Sequence, residues 1–311
     1  MRGRTLRPSA WLAVLLLFGA CDRDPVTDAE RVVKVFGESG LGPGQFSYPR
    51  ALAISPVDGR LFVCDKTARI QRFDPDGRFE HAWRMPDWQA GKPTGMTVDS
   101  AGRLWVADTH YSRVIVFDRQ GREQFRFGSQ GTGPGQFLLP TFVGFDREGN
   151  CYVGEYGGHD RVSKFDSNRR FLFDFGGRGS GDAALERPTA MRCDARDVLW
   201  VADGCHHRLC RFDVNGRYLG RVGKPGTGPD DLNFPYDLEM LPGEPGGLLV
   251  ADNGRSRIVE FDLHGRFVRA WGRPGRRLGE LLHPWAVARG TQGRVYVLDS
   301  WNNRVQVVRW R

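Results

Sequence analysis

Hydrophobic positions along this chain come in short runs, rich in β-branched and aromatic residues, and each run stops at a polar turn. The stretch from Leu104 to Arg122, LWVADTHYSRVIVFDRQGR, is the plainest case. An apolar run ends in an acid; a polar turn, an arginine, a second apolar run and a turn glycine follow. That order predicts strand, turn, strand, turn. The unit returns from Leu61, Cys151, Leu199, Leu248 and Val295. Its strand-ending acids, Asp65, Asp108, Glu155, Asp203, Asp252 and Asp299, stand 43 to 49 residues apart. A period of this size means a repeat architecture.

Each unit is preceded by a proline (Pro49, Pro93, Pro140, Pro188, Pro235, Pro284), and most of these follow a glycine-rich connection such as GESGLGPGQFSYP. A short apolar strand after the proline, such as ALAI from Ala51, is expected to be the innermost of four. The glycines do not make a phosphate loop, because no strand–loop–helix context and no GK[ST] accompany them. The C-terminal unit, ending VQVVRWR, stops one strand short, while Arg31 to Gly37 (RVVKVFG) matches the end of a repeat. The chain therefore reads as all-β: a six-bladed β-propeller of four-stranded antiparallel blades, closed by the N-terminal strand completing the last blade. Closure of this kind leaves no free edge at the junction. The recurring acid and arginine (Asp65/Arg69, Asp108/Arg113, Glu155/Arg161, Asp203/Arg208, Asp252/Arg257, Asp299/Arg304) read as hairpin-fixing ion pairs, since one active site cannot occur six times.

Composition changes the picture at the N-terminus. Three of the eight net positive charges belong to Arg2, Arg4 and Arg7. With the apolar run Trp11 to Gly19 they form the layout of an export signal over residues 1–20, too short to span a bilayer. The run ends FGAC, which resembles a bacterial lipoprotein signal with Cys21 as the lipidated residue; residues 21–30 read as a tether and 31–311 as the propeller. The expected location is exported and membrane-anchored, facing the periplasm or cell exterior. Five further cysteines, an odd number, indicate no disulfide framework.

The proline, V-x-D, polar turn, arginine and F-D-x-x-G together resemble the NHL repeat over Arg31 to Arg311. The resemblance implies a six-bladed propeller but no single function, since members bind RNA, bind protein, sense ligands or act as lyases. Function is then sought in residues that differ between copies, on the face carrying the loops before the inner strands. Arg50, Thr94, Thr141, Thr189, Tyr236 and Trp285 follow the blade prolines and should surround the channel mouth. The candidate ligand-binding set is Arg50, Tyr111, Tyr156, His206, His207, Tyr236, Asp237, Trp285 and Trp301, a mixture of rings and polar groups suited to a binding surface. The ligand would be a protein, peptide or glycan. No catalytic residue, metal or cofactor is called for.

Two enzyme-like features point the other way. GPGQFSYPRALAI, Gly42 to Ile54, is similar to a stretch of the peptide-amidating lyases, so a divergent metal-dependent lyase is the alternative. In that family a zinc-binding histidine follows the proline; here Arg50 stands there, and a guanidinium cannot ligate zinc. The run Asp203-Gly-Cys205-His206-His207-Arg-Leu-Cys210 holds metal-ligand residue types, but three adjacent side chains rarely converge on one ion. Nucleic acid as a partner is opposed by the export signal.

Overall fold

A computed structural model describes residues 27–244 and 246–310. The signal segment and Cys21 lie outside the described residues. The rest is a ring of six four-stranded antiparallel sheets. Five blades are continuous in sequence. In the sixth, Val32–Phe36 pairs antiparallel with Arg304–Arg309, with Val32 opposite Val308 and Phe36 opposite Val305. The two ends of the chain are thus held in one sheet, as the truncated sixth repeat required. Helical structure among the described residues is limited to three 3-10 turns, at Thr109–Tyr111, Asn253–Arg255 and Ser300–Asn302.

The inner strands are Pro49–Ile54, Gly95–Val98, Leu139–Phe145, Pro188–Cys193, Pro235–Leu241 and Pro284–Arg289. Each lies against the inner strand of the next blade, and the last returns to the first. In five of them the register slips just after the proline, which forms a bulge. The bulge takes the post-proline side chain out of the ordinary in–out alternation.

Apolar residues form six clusters, one at each seam between blades. At the seam of blades one and two, Phe62, Cys64 and Ile70 meet Leu104, Val106 and Ile115. At the closing seam, Phe46, Val63 and Phe73 meet Tyr296, Leu298 and Val305. Strand sides facing two neighbours explain why the second strand of each unit reads as a nearly continuous apolar run. Cys64, Cys151 and Cys210 are buried within these clusters as small apolar side chains, and all five described cysteines are free.

The outer hairpins repeat one device. Asp74 Oδ1 accepts the N–H groups of Asp76 and Arg78 at 2.9 and 2.8 Å. Asp118, Asp166, Asp213 and Asp262 do the same in the following blades. An aspartate that satisfies two turn donors fixes the turn without any further packing. Residues before Arg31 also pack on the ring. Thr27–Glu30 form a turn, in which the Asp28 carbonyl accepts the Trp271 indole N–H at 3.0 Å. The last residues of the expected tether therefore rest on blade five.

Candidate functional site

All six acid–arginine pairs form, at 2.7 to 2.8 Å. In each case the acid is fully or almost fully buried. Several also reach the loop before the inner strand of their own blade: Asp203, Asp252 and Asp299 accept the N–H groups of Glu186, Asn233 and Leu282 at 2.7 Å. These pairs tie hairpin to loop within a blade. They are scaffold, and the chemistry lies with the residues that depart from it.

The post-proline positions divide the ring in two. In blades two to four the residue is threonine. Thr141 Oγ1 donates to the Pro188 carbonyl at 2.6 Å and Thr189 Oγ1 to the Pro235 carbonyl at 3.0 Å, each clasping the next blade. Thr94 reaches the Thr141 carbonyl at 3.5 Å. In blades five, six and one the same slot holds Tyr236, Trp285 and Arg50. Large side chains there cannot make the clasp; Trp285 and Arg50 stay part-exposed at the mouth, and Tyr236 is buried beside them.

Those groups stack. The Tyr236 and Trp285 rings are 4.3 Å apart at 35°, and the Arg50 guanidinium lies 4.9 Å from the Trp285 ring centre. Arg50 is also 6.0 Å from the Tyr48 ring, and Tyr48 packs on Trp301 at 5.8 Å. His283 lies 4.3 Å from Trp301 on its other flank. In the opposite direction Tyr236 meets Phe234 at 5.8 Å. Arg187 sits over both Phe234 and Tyr156, at 5.4 and 4.9 Å. A belt of rings and guanidinium groups thus runs from blade three round to blade one. Burial raises the Tyr236 phenol to about 12, while Arg187 and Arg50 both pull it down, so both cations flank it. Trp301 is half exposed.

Of the expected set, Arg50, Tyr156, Tyr236, Trp285 and Trp301 come together in this belt. Tyr111 does not: its hydroxyl accepts the Ala90 N–H at 2.9 Å and its ring carries Arg113, pinning the loop of blade two. His206 Nδ1 is 2.8 Å from Asp203 Oδ2, inside the hairpin pair. His207 Nδ1 accepts the Phe234 N–H at 2.9 Å. Within the Asp203–Cys210 run, His206, Arg208 and Cys210 all meet Asp203 Oδ2, the thiol at 3.7 Å, while His207 turns away to Phe234. Among the described residues no three His, Cys, Asp or Glu side chains gather as a metal site.

Asp237 lies one step inside the channel, where its carboxylate accepts the Val287 N–H at 3.1 Å and faces Arg192 at 3.6 Å. Arg192 also meets Glu239 at 3.7 Å. Burial raises Glu239 to about 7, with Arg192 opposing and Asp237 reinforcing. The channel is tight beside Asp237, about 20 Å³, and opens at the far face into a cavity of about 700 Å³ lined by Ile54, Arg192, Glu239 and Arg289. The near mouth is accordingly a surface and not a deep pocket.

Sequence reasoning missed Tyr48, Arg187 and Phe234. All three immediately precede a blade proline and have φ of 57° to 58°. The bulge that turns the next residue outward turns these onto the face as well. The signal was available: the pre-proline position is as variable between copies as the post-proline one, and it carries Tyr, Arg, Phe and His in blades one, four, five and six.

The sequence profile described as "NHL repeat" matches residues 91–117 and 281–308. Among characterised proteins, the protein brain tumor of Drosophila melanogaster is 34% identical over 95 residues, which is 30% of this chain and 9% of that protein. Among solved structures, a streptogramin B lyase superposes with a TM-score of 0.64 at 15% identity, covering 88% of this chain and 96% of the other. An auxiliary nutrient binding protein from Bacteroides ovatus gives 0.68 at 14%, covering 89% and 76%. At these identities the structural likeness speaks to the propeller fold alone.

Proposed function

We propose that this propeller, built on NHL repeats, is a binding module whose loop-bearing face recognises a protein, peptide or glycan without catalysis. The observation that carries the reading is the asymmetry of the post-proline ring. Three blades spend that slot on a seam clasp, and three place Tyr236, Trp285 and Arg50 there instead, against a stacked belt from neighbouring blades. Rings that could be threonines, and that forgo a clasp to stand at the mouth, suit contact with a partner. The channel beneath narrows to about 20 Å³ beside Asp237, which leaves the face itself as the contact surface on this side. The reading includes export and attachment to a membrane through a lipid on Cys21, supported by the residues of the N-terminal segment.

The module reading is tested with the propeller from residue 27 onward, screened on immobilised peptide and glycan arrays beside Trp285→Ala and Trp301→Ala. Binding that both variants lose supports the face. Binding that neither variant changes overturns it, as does turnover of a peptidylglycine or streptogramin substrate. Attachment is read separately, by incorporation of labelled palmitate in wild type and in Cys21→Ala; equal labelling, or none, rejects the anchor.

A further inference from the structure

Among the described residues the belt contains two guanidinium groups without an ion pair, and Lys66, 5.9 Å from the Tyr48 ring, adds a third cation. Arg50 makes no hydrogen bond and no ion pair among the described residues, and its Nε is shielded from solvent with no acceptor. Arg187 has no carboxylate partner among them; its guanidinium lies over Tyr156 and Phe234 and bonds the Tyr236 phenol. Elsewhere Arg113, Arg161, Arg208, Arg257 and Arg304 each hold an acid at 2.7 to 2.8 Å, while Arg211, over the Trp200 ring, shares the unpaired state of Arg50. A guanidinium stacked on a ring keeps its N–H edge free, and that edge fits an oxyanion through two parallel hydrogen bonds. Between the two stand Tyr236 and Trp285, and beyond Arg50 stand Tyr48 and the half-exposed Trp301.

We infer that this face takes an acidic oligosaccharide, its uronate carboxylates on Arg50 and Arg187 and its sugar rings on Trp285 and Trp301. The inference rests on the binding-module reading and names its ligand class. Three features favour a carboxylated glycan. The face is made of loops and turns, so it offers no strand edge to which a peptide could add. The mouth is a surface over a channel of only about 20 Å³, which suits a chain of linked rings lying across it and not an enclosed small molecule. Glu186 stands directly beside Arg187 on the chain and adds a negative charge near one of the two guanidinium groups, which disfavours the dense charge of a polyphosphate backbone.

The test is intrinsic tryptophan fluorescence and calorimetry of the propeller with polygalacturonate oligomers. Methyl-esterified oligomers supply the same rings without charge, and oligouridylate supplies charge on a nucleic acid. The expected result is saturable binding of the uronate, weakened at least about tenfold by esterification and by Arg50→Gln or Arg187→Gln, as loss of one charged hydrogen-bonding group requires. Binding by each glutamine variant should also depend less on salt. Unchanged thermal midpoints of both variants separate this effect from misfolding. Equal binding of the esterified oligomer, tighter binding of oligouridylate, or no uronate binding overturns the inference. A neutral ligand lost in Trp285→Ala but kept in Arg50→Gln would overturn it while leaving the binding-module reading intact.

Discussion

Tyr236 and Trp285 occupy the same slot of consecutive repeats, and their rings meet across the seam of blades five and six, 4.3 Å apart and tilted by 35°. Tyr236 is buried and Trp285 half-buried. The contact replaces the threonine clasp that holds the seams of blades three and four to their successors. If the stack has taken over that role, the two side chains are coupled in stability. A double-mutant cycle with Tyr236→Ala and Trp285→Ala should show a coupling of about 0.5 to 1.5 kcal/mol. Tyr236→Ala alone should cost about 3 to 5 kcal/mol, and Trp285→Ala less, because less of it is buried. Additive losses in urea unfolding would mean that the rings stand together for a ligand and contribute nothing to the seam.

The closing seam has a polar latch. Asn303 adopts a left-handed conformation, φ 51°, and its Oδ1 accepts the Tyr48 N–H at 2.7 Å. His207 and Asp160 occupy the same position in blades four and three and accept the Phe234 and Arg187 N–H groups. Asn303→Ala removes the acceptor and also places an alanine where φ is positive. It should destabilise by about 1 to 3 kcal/mol for the unpaired donor, with roughly 1 more for the backbone. Asn303→Gly loses the acceptor but fits the backbone, so it should be the milder of the two by about 1 kcal/mol. Equal unfolding midpoints for the two variants would exclude the backbone part of the argument.

The blade count and the ring closure were legible because they follow from periodicity, which any fold of this chain must satisfy. The ion pairs were legible for the same reason: sixfold repetition of Asp and Arg at one spacing has a single geometric meaning. The belt was legible only in part. Trp285 and Tyr236 differ visibly from the threonines in their slot, but Arg187 and Phe234 reach the face through a positive φ that no residue type announces. Chemistry alone makes His207 a candidate ligand contact, whereas its position in the repeat makes it a latch. Composition at a turn says what a side chain could do; register says what it is already doing.

Asp108 is the exception among the six acids. The loop before its inner strand, Met85 to Lys92, lacks the glycine-rich pattern of the others, and Asp108 Oδ1 is buried with no partner. Burial raises its pKa to about 6, with Arg113 opposing. The folded chain therefore keeps this proton to about pH 6, while the unfolded chain releases it near 4. The stabilisation is fully present below about pH 4 and is lost as pH rises through 6, a change on the order of 3 kcal/mol. Asp108→Asn should remove that part of the slope between pH 4 and 7, seen as the difference between denaturation midpoints of variant and wild type. Burial raises the Asp299 carboxyl too, but Asp299 differs from Asp108 in its partners, which Asp299→Asn would disturb. Asp299 accepts Leu282, Asn302 and Arg304, and breaking so well-connected a buried pair should cost about 3 to 5 kcal/mol at neutral pH. Identical pH profiles for wild type and Asp108→Asn would reject the assignment.

Ring closure through Val32–Phe36 makes the strongest demand on the fold. The strand pairs along Arg304–Arg309, and Phe36 packs on Phe73 at 5.2 Å, which carries the closure into the core of blade one. Gly77 answers the same ring: a Cβ there would lie 2.4 Å from Phe36, and its φ is 76°. Removing residues 1–37 leaves Val305, Val307 and Val308 on an unpaired edge next to an emptied slot, an arrangement prone to pairing with another chain. The truncated protein should self-associate and bind a hydrophobic dye, and a peptide of residues 27–38 added in trans should suppress both. Phe36→Ala, which keeps the strand and removes only its anchor, should lower stability by about 2 to 4 kcal/mol without association. A truncated chain that stays monomeric with an unchanged unfolding midpoint would show that five blades and three strands hold the ring unaided, and the N-terminal strand would then be an accessory to closure.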